Sequence, residues 1–143
     1  SGEGLHYFAQ LQIDIYTKYA GEKFKEKKLK NLEEYPLMAS HVIAIGMKRT
    51  TSVSIPDTEE IIATACTIEN IYLSVAAYGL GGYLSTGGIT YLPEAKSYFD
   101  LEPGDHLIGF FYIGYPDIIN NPLSKRGPVK EKVRWIDKKI ETL

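Results

Sequence analysis

Apolar residues recur at helical spacing near the start of the chain. They are Leu5, Phe8, Leu11, Ile15 and Tyr19. This spacing predicts a helix over residues 4–20, which Gly21 ends. The lysine-rich run that follows, residues 22–30, is typical of a solvated surface. Pro36 then interrupts the chain before the next apolar segment.

Two continuous apolar runs predict buried strands. Residues 42–47 and 107–114 are rich in β-branched and aromatic side chains, and polar or turn residues bound them. A run without polar alternation indicates a strand that is covered on both faces, so we expect the first run at the centre of a sheet. A shorter strand is predicted at residues 80–84, and a brief helix is predicted at residues 93–99.

A long helix begins at Asp57, which is the clearest boundary in the sequence. The Asp57 side chain can cap the helix, and Glu60, three residues later, completes a capping-box pattern. From Ile61 to Tyr78 the residues are apolar nearly all round, and Gly79 suits a left-handed C-terminal cap. A helix without a polar face must be covered from several sides. In a chain of this size we expect a second subunit to supply part of that cover.

The overall composition is that of an ordinary globular protein. The 143 residues are 44% hydrophobic and 24% charged, with a formal net charge of -2. These values fit one domain and leave no basic excess to attract nucleic acid or an anionic membrane. The longest continuous apolar runs are far shorter than the roughly 20 residues of a membrane helix, so we expect no membrane span.

Two further features of the composition bear on location and on binding. The single cysteine, Cys66, cannot form a disulfide within the chain, and the N-terminus lacks a signal-peptide pattern. We therefore expect a cytoplasmic protein. The chain has 11 tyrosines but only 1 tryptophan, which suits an interface or a ligand cleft, because tyrosine combines an apolar ring with a polar end.

Side chains that commonly perform catalysis or bind metals are not clustered in the sequence. The three histidines, His6, His41 and His106, lie on different predicted elements without a carboxylate or cysteine at ligand spacing. Structural roles are the better interpretation. Cys66, among small apolar residues in a helix, is interpreted as a small hydrophobic residue. The sequence therefore predicts no metal site and no catalytic side chain.

A glycine-rich turn and a basic pair are the candidate binding features. Four glycines flank residues 83–86: Gly81, Gly82, Gly87 and Gly88. The backbone there could approach a flat ligand closely and present N–H groups or hydroxyls to it. A helix cap and a tight turn would explain the same glycines. Lys125 and Arg126 could hold a phosphate, although a solvated basic turn would explain this pair as well.

Together these segments resemble the FMN-dependent nitroreductase family. The match is carried, in order, by residues 55–60 (IPDTEE), 66–73 (CTIENIYL), 76–83 (AAYGLGGY), 85–87 (STG) and 107–116 (LIGFFYIGYP). The basic pair at residues 125–126 and the VRW segment at residues 133–135 also look like the tail of the family. Each motif is generic, but their combined order and spacing are specific, and the resemblance covers nearly the whole chain.

The resemblance implies an α+β sandwich in which a mostly antiparallel sheet is flanked by helices. Two chains would form an intertwined homodimer with FMN at the interface, and the helix at residues 57–78 would be the central dimer helix. The residues that match cofactor-binding positions are Leu84, Ser85, Thr86 and Gly87 at the isoalloxazine ring and Lys125 and Arg126 at the phosphate. Backbone N–H groups of the first four would face the N5 and O4 edge of the ring.

The implied activity is that of an oxidoreductase. NAD(P)H would reduce the flavin, and a nitroaromatic, a quinone or a related small-molecule acceptor would take the electrons. Two alternatives remain. The chain could be a non-catalytic dimerisation module that has lost its cofactor, or a reductive dehalogenase or other relative that performs flavin chemistry.

The chain departs from the family at its start. Family members begin with an arginine-serine segment that grips the FMN phosphate and ribityl chain, followed by an asparagine and a first strand. Residues 1–4 resemble those that come directly after that strand. We therefore expect residues 1–143 to form a single nitroreductase-like domain that lacks the N-terminal FMN-binding segment.

Overall fold

The computed structural model of the protein describes residues 1–51, 54–117 and 126–136. The helices and strands are α1 (Glu3–Tyr19), α2 (Glu26–Met38), β1 (His41–Met47), α3 (Asp57–Ala77), β2 (Gly81–Ser85) and β3 (His106–Gly114). Short 3₁₀ segments occur at Gly21–Lys23, Pro93–Phe99 and Val129–Glu131. The predicted first helix, both long strands, the short strand and the brief helix are confirmed to within about one residue at each end.

The three strands form one antiparallel sheet in the order β1-β3-β2. Phe111 of β3 lies opposite Ile43 of β1 and also opposite Leu84 of β2, so β3 is the central strand. The α+β fold class and the antiparallel sheet are confirmed. The prediction that β1 is central was wrong, because β1 lies at one edge of the sheet within the described residues. Only Ile45 and Met47 of β1 are buried.

The sheet lies between two layers of the hydrophobic core. Side chains of β3 point alternately to opposite faces, as in any strand. Phe110 packs with Ile15 of α1 and Leu32 of α2. Phe111, on the other face, packs with Ile68 of α3. Both phenylalanines are almost completely buried, so β3 holds the α1–α2 layer and the α3 layer together.

Pro36 lies inside α2 and does not interrupt the chain, so the predicted break there was wrong. A proline within a helix has no N–H for the carbonyl four residues earlier, which here belongs to Leu32. The Nε2 of Gln12, on α1, donates to that carbonyl oxygen at 3.5 Å. Gln12 is 1% exposed. A buried side chain of the neighbouring helix therefore supplies the hydrogen bond that Pro36 cannot make.

The helix α3 starts at Asp57 as predicted, but not through a capping box. No side chain caps its first turn. The Nε2 of His106 instead donates to Oδ1 of Asp57 at 3.0 Å. Glu60 accepts from the backbone N–H of Thr50 at 2.8 Å and pairs with the guanidinium of Arg49. His106 has no carboxylate at ligand spacing in the sequence, and it meets Asp57 only after the chain has folded.

The end of α3 is a Schellman cap, as Gly79 predicted. Gly79 has φ of 70°, and its N–H donates to the carbonyl of Ala76 at 2.9 Å. The N–H of Leu80 donates to the carbonyl of Val75 at 3.0 Å. Val75 and Leu80 also pack in the same hydrophobic cluster. This cap reverses the chain and directs it into β2.

Most of α3 is exposed in the single chain. Only Ile68 and Val75 are buried, whereas Ile62 is 56% exposed and Leu73 is 60% exposed. By length and composition alone the helix is also apolar enough to be a candidate membrane span, with a mean hydropathy of 1.2. A single helix of this kind is weak evidence for a membrane protein. Among residues 1–51, 54–117 and 126–136, no segment covers its exposed apolar face.

Candidate functional site

The predicted ring-binding residues lie at the end of β2 and in the turn after it. Leu84 and Ser85 are the last residues of β2, opposite two phenylalanines of β3. Thr86 and Gly87 continue past the strand. The four residues therefore form one stretch of backbone at an edge of the sheet. Leu84 itself packs in the core on the α3 side, so its side chain is not available to a ligand on the opposite face.

The backbone N–H groups of this stretch are not equivalent. The N–H of Leu84 donates to the hydroxyl of Tyr72, on α3, at 2.9 Å. The expectation that this N–H faces a cofactor is therefore not supported by the geometry. In the part of the chain that the structure describes, the N–H groups of Thr86 and Gly87 have no backbone acceptor. These two groups are the donors that a ligand could reach.

The glycines near β2 divide into two kinds. A Cβ added to Gly82 would lie 2.6 Å from Cζ of Phe111, and one added to Gly109 would lie 2.5 Å from the carbonyl oxygen of Ser85. These glycines are required because β2, β3 and the core pack closely. A Cβ added to Gly87 would meet only the Nζ of Lys28, at 4.0 Å. The side of Gly87 where a Cβ would lie is therefore nearly open, which suits a ligand contact.

The helix α2 flanks the Gly87 turn. The Nζ of Lys28 faces Gly87, and one turn further along α2 the Cδ2 of Leu32 lies 2.8 Å from where a Cβ of Gly88 would be. Gly88 has φ of 67°, a backbone conformation that glycine adopts without strain. The close contact with Leu32 and the left-handed backbone both explain why position 88 is glycine, and they fix the turn against α2.

The same helix also borders a groove at the other end of β2. The groove has a volume of about 590 Å³. Its aromatic and sulfur-containing lining residues include Tyr35 and Met38 of α2, Tyr83 of β2, and Tyr112 and Tyr115. The rings of Tyr83 and Tyr112 are 6.4 Å apart between centroids. Lys28 and Met38 are about 15 Å apart along the helix, so α2 borders both the Gly87 turn and the groove.

Burial alters the acidity of Tyr112, one of the tyrosines that line the groove. Burial raises the pKa of Tyr112 above its usual range, a hydrogen bond with Gln12 lowers it in part, and the nearby Tyr83 raises it further. The Tyr112 hydroxyl therefore stays protonated at neutral pH and remains a hydrogen-bond donor. The Tyr112 side chain therefore adds no charge to the groove.

Only one residue of the predicted phosphate-binding pair lies among the described residues. Lys125 lies outside the described residues. Arg126 is exposed and, among the described residues, makes no hydrogen bond or ion pair. The structure brings Leu84, Ser85, Thr86 and Gly87 together because they are consecutive, but it gives no contact between Arg126 and that stretch.

Two features of the site were missed in the sequence. Lys28 was read as part of a solvated lysine run, and Tyr35 was given no role. The excess of tyrosines was the available signal for an aromatic groove, and it pointed to the right residue type. It could not indicate which tyrosines share a groove, because Tyr35, Tyr83 and Tyr112 lie on three separate elements.

Comparisons with known proteins show which proteins this chain resembles. No family model matches the chain. The chain is 24% identical over 93 residues to "Putative NAD(P)H nitroreductase YdjA" from Escherichia coli (strain K12), and the protein of the same name from Escherichia coli O157:H7 matches equally. The matched region is 65% of this chain and 51% of the relative, so the chain spans about half the length of the curated relatives it matches.

The fold is similar to that of a solved structure. The crystal structure of a nitroreductase-like family protein from Bacillus cereus matches with a TM-score of 0.77 and 26% sequence identity, over 96% of this chain and 70% of that one. The two comparisons confirm the resemblance to the nitroreductase family, at low sequence identity, and the nitroreductase-like α+β fold.

Proposed function

We propose that the protein is an oxidoreductase that uses FMN to transfer electrons from NAD(P)H to a nitroaromatic, a quinone or a related small acceptor. The similarity to nitroreductases supports the oxidoreductase role. The observation that supports a bound flavin is the pair of backbone N–H groups at Thr86 and Gly87. Their N–H groups have no backbone acceptor among the described residues, and they occupy positions that resemble the ring-binding segment of the family.

The residues present fit a flat cofactor with a polar edge. The N–H groups of Thr86 and Gly87 can donate to oxygen or nitrogen acceptors on that edge. The absence of a side chain at Gly87 leaves the space that such an edge would occupy. FMN, when bound, supplies the electron-transfer chemistry, which explains why no catalytic acid or base is needed from the protein. The protein binds and orients the ring, and Lys125 and Arg126 are proposed to contact the phosphate.

We further propose a homodimer in which α3 of each chain covers the other. Most of the apolar residues of α3 are exposed in the single chain, including Ile62 and Leu73. Large contiguous apolar surfaces of this kind mark interfaces in soluble proteins. The proposed setting is the cytoplasm, because the single cysteine, Cys66, cannot form a disulfide within the chain.

Cofactor binding is the direct test of the proposed activity. The purified protein is mixed with FMN, desalted and examined for bound flavin, and NADH or NADPH is then added without oxygen. We expect bound flavin that loses its absorption on reduction and regains it when a nitrobenzene derivative or a quinone is added. A protein that binds no FMN would contradict the proposal.

A pair of glycine variants makes this test specific to the Gly87 turn. Gly87→Val fills the open space beside the free N–H groups and should weaken FMN binding by at least about tenfold. Gly104→Val is the control, since a Cβ there meets nothing within 4 Å. Equal FMN affinity in the two variants would place the cofactor elsewhere.

A dimerisation module without a cofactor is the second candidate, and the exposed face of α3 favours it. The same preparation distinguishes the two candidates when its mass is measured by light scattering. A colourless dimer that cannot be loaded with FMN would support the module, whereas a dimer with bound, reducible flavin would support the enzyme.

A further inference from the structure

A second cavity lies where β2 ends and β3 begins. Its volume is about 480 Å³, within the range of roughly 300–1000 Å³ that is usual for small-molecule sites. The loop after β2, the 3₁₀ segment Pro93–Phe99 and the first residues of β3 border it. Its described lining includes no residue of α2, whereas Lys28 of α2 borders the space beside Gly87. The cavity is therefore distinct from the proposed flavin contact.

Thr90 brings an unsatisfied hydroxyl to this cavity. The residue is 5% exposed and lines the cavity, and its Oγ1 has no hydrogen-bond partner among the described residues. Its backbone N–H is satisfied, since it donates to the carbonyl of Gly87 at 3.3 Å. Buried polar groups are nearly always hydrogen-bonded in folded proteins. An unpaired hydroxyl beside a cavity therefore indicates an occupant that supplies the missing partner.

Lys96 lines the same cavity and brings a positive charge to it. Its Nζ donates to the carbonyl of Pro103 at 2.9 Å, which holds the side chain in place. In the described part of the chain, the ion pairs of lysine and arginine involve Lys30 and Arg49 but not Lys96. An ammonium has three donors, so Lys96 retains two of them for a ligand.

The rest of the lining limits the chemistry of the ligand. Four apolar residues contribute to the wall: Leu92, Pro93, Leu107 and Ile108. No aspartate or glutamate is among the described lining residues, so nothing there opposes a negative charge. A phosphate ion needs several strong donors around it. One ammonium and one hydroxyl beside an apolar wall suit instead a single negative charge on an apolar body.

We propose that this cavity binds a small monocarboxylate with an apolar body, such as an aromatic carboxylate. The Lys96 ammonium pairs with the carboxylate, the Thr90 hydroxyl donates to it, and the apolar wall covers the body of the ligand. The site does not depend on the proposed flavin function. Thr86 also lines the cavity, so the ligand would lie next to the backbone that is proposed to hold the flavin ring.

Benzoate and benzamide are the probes for the whole protein. They have the same ring and nearly the same shape, but only benzoate carries a negative charge. Binding is measured by saturation-transfer NMR and by the shift in the thermal unfolding temperature. We expect benzoate to bind at millimolar concentration and to raise the unfolding temperature, and we expect benzamide to bind at least about tenfold more weakly.

Two variants test the two polar groups. Lys96→Met removes the charge and should weaken benzoate binding about tenfold while leaving the weak binding of benzamide unchanged. Thr90→Val keeps the shape of the side chain and removes the hydroxyl, so benzoate should bind about fivefold more weakly. Without benzoate, Thr90→Val should unfold at the same or a higher temperature, because an unpaired buried hydroxyl is lost. A weaker affinity in this variant would then not result from misfolding.

Lys48→Met is the matched control for charge. Lys48 and Lys96 both lower the pKa of Asp105, so both lysines lie near that carboxylate, but Lys48 does not line the cavity. Lys48→Met should bind benzoate as the wild type does. Equal losses in Lys48→Met and Lys96→Met would show a general effect of charge and overturn the assignment of Lys96.

Two further results would overturn the proposed site. If benzoate and benzamide bind equally, the cavity does not recognise a negative charge. If benzoate does not bind at millimolar concentration, water is the partner of the Thr90 hydroxyl and the cavity is not a carboxylate site. Neither result bears on FMN binding, which is measured separately.

Discussion

His106, the first residue of β3, donates its Nε2–H to the carboxylate of Asp57, the first residue of α3, across 3.0 Å. The guanidinium of Arg49 lies 3.7 Å from the same carboxylate oxygen and pairs with Glu60. The start of α3 is thus held by residues from β3 and from the loop after β1. Since α3 carries the surface proposed for dimerisation, this network positions the interface relative to the sheet.

Removing Glu60 should destabilise the protein. Glu60→Ala removes the carboxylate that accepts from the N–H of Thr50 and the nearer of the two carboxylates beside the Arg49 guanidinium. Loss of partners for such partly buried groups costs about 1 to 3 kcal/mol. Urea unfolding should show this decrease in the free energy of unfolding. Glu59→Ala, at an exposed neighbouring position, should change it much less, and equal effects would show that the network does not hold α3.

Asp105 should make stability depend on acid pH. Hydrogen bonds from the backbone N–H groups of Arg49 and Glu102 lower the pKa of this carboxyl below its usual range. The ionised form therefore favours folding, so its contribution is fully present above the unfolded pKa of about 3.9 and is lost as the pH falls through the lower folded value.

The matching measurement follows unfolding from pH 7 to pH 2. Asp105→Asn should lower stability at neutral pH and flatten the decrease below about pH 4. Asp100→Asn is a suitable control, since Asp100 is exposed and has φ of 54°, which asparagine also adopts readily. An unchanged acid profile in Asp105→Asn would contradict the assigned role.

Gly82→Ala should be costly although it adds one methyl group. The new Cβ would lie 2.6 Å from Cζ of Phe111, a buried ring that also packs edge-on against Tyr72. Overpacking of this kind costs about 1 to 3 kcal/mol. Gly104→Ala, where a Cβ meets no atom within 4 Å, should be nearly neutral. Thermal unfolding of both variants tests the difference, and a neutral Gly82→Ala would mean that Phe111 can move aside freely.

A charge on the exposed face of α3 should separate the proposed dimer. Leu73 is 60% exposed in the single chain, so Leu73→Glu should leave the fold of each chain intact while placing a charge in the interface. Light scattering should give the monomer mass for this variant and the dimer mass for Tyr7→Glu, which introduces the same charge at an exposed position of α1. A dimer that persists in Leu73→Glu would use another surface.

Local patterns in the sequence were sufficient for the elements other than α2 and for the resemblance to the family. Helical spacing predicted α1, continuous apolar runs predicted β1 and β3, and Gly79 predicted the end of α3. These signals depend on neighbours within a few residues, so they can be read along the chain. The stretch from Leu84 to Gly87 was also located correctly as one unit of backbone at the end of β2, because its residues are consecutive.

Tertiary structure alone decided which groups meet across elements. His106 and Asp57 are 49 residues apart, and Gln12 reaches the Leu32 carbonyl that Pro36 cannot satisfy. The edge position of β1 follows from strand pairing, which β-branched composition does not encode. The approach of Lys28 to Gly87 could not be predicted either. A run of lysines predicts a solvated surface, and only the folded chain places one of these lysines beside the turn after β2.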